Sequence, residues 1–89
     1  MSRKYQLINY FDVWGNAKDG WEVNNMCVEE ENLWLDDDCT DKEIANYLAK
    51  IGYLTTSDMR RLYFENLGGI TEIYEKKGMK PLYSLREVV

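Results

Sequence analysis

The four residues Thr40-Asp41-Lys42-Glu43 constrain the fold of this chain more than any other feature, because they have the form of a helix-starting capping box in which Thr40 and Glu43 satisfy free amides reciprocally. Ile44, Tyr47, Leu48 and Ile51 follow at helical spacing and define one apolar face that must be laid on a sheet. Cys39 and Ile44 occupy hydrophobic-staple positions, Gly52 stands where a left-handed C-terminal cap is wanted, and Tyr53 can fold back on the last turn. A helix over residues 41–51 is expected, and the rest of the chain must supply what it packs on.

The flanking segments read as strands. Residues 4–14 (KYQLINYFDVW) are dense in aromatic and β-branched side chains and end at Gly-Asn-Ala-Lys-Asp-Gly, a hairpin connection. Trp21-Glu22-Val23 resumes an extended pattern that continues through Met26-Cys27-Val28, with a bulge or bend expected at Asn24-Asn25. Leu33-Trp34-Leu35 is a short apolar knot, a further strand or a loop anchor. In residues 55–67, Met59, Leu62, Tyr63 and Leu67 suit a helix, while Arg60-Arg61-Leu62-Tyr63-Phe64 suits a strand entering a hairpin at Gly68-Gly69; the strand is preferred. Residues 70–75 and 81–88 look like two more strands, with Gly78 free to take positive φ in the connection and Pro81 at a strand start. The expected fold is α+β: a small antiparallel sheet of four to five strands with one helix packed on one face, in the order β-β-α-β-β-β. With 89 residues and no repeat or linker, residues 1–89 form a single domain.

Several classes of chemistry are excluded by composition. The chain has no histidine, which removes the usual serine and cysteine triads, His-ligated zinc and imidazole acid-base catalysis. Cys27 and Cys39 match neither a zinc spacing nor a Cys-x-x-Cys pair and read as reduced, partly buried thiols of a cytoplasmic protein. No run approaches the roughly 18 apolar residues of a membrane span, and Met1-Ser2-Arg3-Lys4-Tyr5-Gln6 leads into a mixed polar segment rather than an apolar signal core. No cofactor, metal site or catalytic set is expected, so the chain reads as non-enzymatic.

Charge carries the strongest functional signal. The net charge is −5, but residues 29–43 hold eight carboxylates against Lys42, a local −7, and everything else sums to +2. Such a balance argues against direct nucleic-acid binding and for a basic protein partner. Asp36-Asp37-Asp38 with Asp41 and Glu43 lacks the alternation, central Gly and twelfth-position Glu of a calcium loop, and consecutive solvated acids make poor catalytic pairs. Glu29, Glu30, Glu31, Asp36, Asp37 and Asp38 are therefore the candidate partner-binding residues. Same-face strand residues such as Glu29 and Glu31 lie about 6.6 Å apart at the usual rise, so their carboxylates can imitate spaced phosphates; a merely solvated acidic face accounts for the same residues. Trp14, Asn16 and Trp21, with Asp19, bracket a second candidate surface at the hairpin connection, which equally reads as a well-made turn. Arg60, Arg61, Lys76, Lys77 and Lys80 form the opposite pole.

Tyr10-Phe11-Asp12-Val13-Trp14-Gly15-Asn16, continuing Asp19-Gly20-Trp21-Glu22-Val23-Asn24-Asn25, together with the closing Gly78-Met79-Lys80-Pro81-Leu82-Tyr83-Ser84-Leu85-Arg86, resembles small uncharacterised proteins of phages and mobile elements of Gram-positive bacteria. The resemblance implies a setting, an accessory protein inside a host bacterial cell, and no mechanism. Setting and charge together lead to the expectation of a protein that binds a host protein, for example an acidic, nucleic-acid-mimicking inhibitor of a restriction or CRISPR effector. The alternative is a small structural or regulatory module, possible as a homodimer through a sheet edge or the Trp14 to Trp21 loop, in which the acids only solvate the surface.

Overall fold

The computed structural model describes residues 2–65 and 70–88, with the backbone alone at Ile70 and Thr71. Two long strands, β1 (Ser2–Asn16) and β2 (Gly20–Asp36), form an antiparallel hairpin. They are followed by α1 (Asp41–Lys50), a single turn α2 (Thr56–Met59), a short β3 (Leu62–Phe64), α3 (Ile70–Lys77) and β4 (Tyr83–Glu87). The strands make one sheet in the order β2-β1-β4-β3, with β1 antiparallel to both its neighbours and β3 parallel to β4.

The α+β class and a sheet of four strands agree with the reading from sequence; the arrangement departs from it in three ways. The sheet is mixed rather than antiparallel, the element order is β-β-α-α-β-α-β, and helices lie on both faces. Parallel neighbours cannot be joined by a hairpin, and α3 is the crossover that β3 and β4 require. Residues 70–75, expected as a strand from their β-branched content, are helical as part of that crossover, and Tyr74 is buried with its ring 5.4 Å from that of Tyr63. The hairpin expected at Gly68-Gly69 lies outside the described residues.

Central strands alternate between two cores. Tyr5, Leu7, Leu33, Leu35, Phe64 and Leu85 meet Ile44 and Leu48 of α1, and Leu54, on one face. Their sequence neighbours Ile8, Tyr10, Tyr63 and Ser84 are buried on the other, the side of Tyr74. Burial on both faces explains why residues 5–10 read as evenly apolar rather than alternating.

The helix expected over residues 41–51 is present. Thr40 accepts the Glu43 amide at 3.2 Å, and its hydroxyl faces the Glu43 carboxylate at 3.2 Å, so the box is completed side chain to side chain. Gly52 at φ +89° closes the helix, with its amide on Ala49 and that of Tyr53 on Leu48, the bonding of a Schellman cap. The buried face is Ile44, Ala45 and Leu48; Tyr47 and Ile51, expected to share it, are exposed. Thr55 and Asp58 build a second, full capping box for α2, so residues 55–67 contain both a helical turn and the strand. Of the bulge or bend expected at Asn24-Asn25, the bulge is absent: one register holds from Ile8↔Val28 to Asn16↔Gly20, and the ladder skips only Asp12 and Asn24, where Asp12 takes φ +51°. The extra residues of β2 fall instead at Glu29 and at residues 31–32, between the partners of Tyr5, Leu7 and Ile8.

Because β4 pairs with β1 only over Tyr5 to Asn9, residues 11–16 and 20–25 project as a two-stranded arm, and the molecule is 39 Å long against 27 and 22 Å across.

Candidate functional site

β2 is an outer strand of the sheet, and all six candidate carboxylates lie on it or immediately after it. They form two groups. Glu29, Glu30 and Glu31 occupy the bulged stretch, and Asp36, Asp37 and Asp38 close the strand about 17 Å further on at the usual rise. The regular phosphate-like spacing expected for Glu29 and Glu31 is lost, because bulges at 29 and 31–32 break the strand period there.

Three of the six are tied to the fold. Glu30 accepts the Tyr53 hydroxyl at 2.5 Å and the Asn32 amide at 3.3 Å, and the Tyr53 bond above all holds its carboxyl below the ordinary value. The same contact raises the Tyr53 phenol. Glu29 accepts from Asn9 Nδ2 at 3.2 Å. Asp37 pairs with Arg3 Nε at 3.3 Å, and Arg3 also meets Glu87 at 3.5 Å. The side chains of Glu31, Asp36 and Asp38 are exposed and make no hydrogen bond or ion pair among the described residues. Edge strands are commonly guarded by charges and bulges against stray pairing, and β2 carries both.

The hairpin tip is built as a turn. Asn16 Oδ1 accepts the amides of Lys18 and Asp19 at 2.9 and 2.7 Å, and its Nδ2 donates to Asp19 Oδ2 at 3.2 Å, so Asn16 is spent on its own loop. Gly15, at φ +113°, passes so close to Gly20 that a Cβ would lie 2.2 Å from the Gly20 carbonyl oxygen. Trp14 is 65% exposed. Trp14 and Trp21 both border a hollow of about 310 Å³, and the Trp21 indole nitrogen is buried without a partner among the described residues. Phe11 adds exposed apolar surface to the arm, and Met26 and Val28 are exposed on β2 at its base. Cys27, expected to be partly buried, is exposed; Cys39 is half-buried, and both are free thiols.

A polar cluster escaped the reading from sequence. The Tyr10 hydroxyl donates to Glu65 Oε1 and lies 2.7 Å from Ser84 Oγ, while Glu65 Oε2 faces Arg86 Nε at 3.5 Å as an ion pair without hydrogen-bond alignment. Burial first, then the Glu65 bond, pushes the Tyr10 phenol far above its ordinary value; burial does the same to Tyr74, whose hydroxyl donates to the Tyr83 carbonyl at 3.1 Å. A phenol so disfavoured from ionising stays protonated and keeps its hydroxyl as a donor, and the cluster links β1, β4 and the end of β3. The one trace in the sequence is Ser84 amid apolar neighbours.

Among the described residues no group of three or more Cys, Asp or Glu converges as a metal site, and no helix is long and apolar enough to cross a membrane. Comparison of the chain with protein-family models, with curated proteins and with solved structures finds no match.

Proposed function

We propose that this chain is a non-enzymatic accessory protein of a phage or mobile element that binds a basic host protein, acting as an acidic inhibitor of a nucleic-acid-handling defence effector such as a restriction or CRISPR enzyme. The observation that carries the reading is the placement of Glu31, Asp36 and Asp38: exposed carboxylates without an ion pair among the described residues, on an outer strand or just past its end, where a cationic groove can reach them. Docking of these acids breaks no internal bond, and the cost of desolvating them is offset only by pairing with a partner's cations, whereas Glu29, Glu30 and Asp37 are already held by Asn9, Tyr53 and Arg3. The test is capture of partners from a Gram-positive host lysate by the unaltered chain and by a variant with Glu31→Lys, Asp36→Lys and Asp38→Lys. The expected result is loss of a basic partner with an unchanged circular dichroism spectrum; equal capture by both proteins would remove the proposal.

A second reading, a homodimeric interaction module, is favoured by one observation, the exposed Phe11 and Trp14 on an arm with no third strand, with Met26 and Val28 exposed at its base. Sedimentation velocity over a hundredfold concentration range separates the two: a dimer dispersed by Trp14→Ser and Met26→Ser supports the module, and a monomer throughout removes it.

A further inference from the structure

The sheet's other end strand borders a cleft of about 380 Å³, a volume within the range of ordinary binding pockets. Its floor is apolar, with Met59, Leu62 and Phe64 prominent, and its rim carries Lys42, Arg60 and Lys77. These cations come from three places: the first turn of α1, the residue that caps α2, and the last turn of α3. All three are exposed and none has an ion pair among the described residues, in a chain of net charge −5. Asp41 is the acid at the rim, and its place in the first turn of α1 has its own cause in the helix dipole.

We infer that this cleft docks an acidic peptide segment of a protein partner, with one bulky apolar side chain on the Met59, Leu62 and Phe64 floor and flanking carboxylates on Lys42, Arg60 and Lys77. Charge complementarity selects the sign of the occupant. The origin of the cations bears on its form: they stand on three separate elements around the rim, a spread that suits a segment carrying several carboxylates. This site is opposite in charge and position to the acidic edge, and it stands independently of the function proposed for that edge.

The probe is a fluorescein-labelled peptide, Glu-Asp-Trp-Glu-Asp, titrated with the full chain and followed by anisotropy. Saturable binding is expected that weakens as salt rises, because exposed charges are screened. Lys42→Glu, Arg60→Glu and Lys77→Glu together should weaken it at least about tenfold, a change in rim electrostatics. Arg60→Ala alone should produce a smaller loss in a protein whose fold is undisturbed. A peptide with Ala for Trp should bind more weakly, and indole-3-acetate more weakly still. The chain with Glu31→Gln, Asp36→Asn and Asp38→Asn should bind the peptide much as the unaltered chain does, which separates this site from the acidic edge. Absence of saturable binding, indifference to the three reversals, equal binding of the Ala peptide, or indole-3-acetate binding as tightly as the peptide would each overturn the proposal.

Discussion

Gly15 and Gly52 both hold positive φ, yet they should answer differently to the same change. A methyl at Gly52 meets nothing within 4 Å, so Gly52→Ala costs only the left-handed backbone, about 1–2 kcal/mol. At Gly15 the methyl also collides with the Gly20 carbonyl at 2.2 Å, and backbone on both strands must shift. Gly15→Ala should therefore be the more damaging of the two, read as the larger drop in urea midpoint. Positive φ at Gly52 and Gly78 was legible from their spacing alone. The partner element was not: Gly78, at φ +64°, ends α3 through bonds from its own amide to Glu75 and from Met79 to Tyr74, although the same dihedral would serve a turn between strands. The Tyr53–Glu30 bond, across 23 residues of chain, was invisible in sequence and is testable at the same scale. Tyr53→Phe should move the Glu30 carboxyl upward, with the Asn32 amide still holding part of the depression, followed by carboxyl chemical shifts in an NMR titration. Since the folded-state value is depressed, the stability this bond supplies is present above the ordinary carboxylate value and is lost as pH falls through the depressed one.

At the level of elements, α1 was the most legible because its signals are local: cap, period and closing glycine lie within fourteen residues. Its buried side was only half legible, since Ile44 and Leu48 share a face with Ala45 rather than with Tyr47 and Ile51. Leu48→Ala should cost roughly 2–5 kcal/mol as a fully buried truncation. Tyr47→Ala should stay within about 0.5 kcal/mol, as for most surface changes. Equal effects in chemical denaturation would contradict the packing described. α3 was misread because Ile70, Thr71 and Ile73 favour strands by propensity, while the decisive requirement, a crossover between parallel β3 and β4, is a property of the whole topology. Likewise the acids were legible as a run, but their division into two groups depends on bulges set by the pairing of β2 with β1.

Over the whole molecule, uneven support of the hairpin should show in its dynamics. Backbone amides of β1 between Tyr5 and Asn9 lie between two strands and should exchange with solvent through global unfolding. Those of the arm beyond Phe11 should exchange by local opening, at lower protection and with weak dependence on denaturant, by hydrogen-exchange NMR. The buried phenols set a second global property. Tyr10 and Tyr74 ionise in the unfolded chain near the ordinary phenol value of about 10 but resist ionisation when folded. The folded state then binds more protons, so stability is full below about pH 10 and declines as pH rises beyond it. A urea midpoint that stays level from pH 9 to 11 would contradict this burial.

The two outer strands give the molecule a further property. Carboxylates gather along β2 and cations around the cleft beside β3, with β1 and β4 between them. The sheet is thus polarised across its strands, and the protein is an electric dipole lying roughly in the sheet plane. In a partner's field such a body turns before it touches, presenting one edge and withdrawing the other, over a range set by the screening length of about 8 Å at physiological salt.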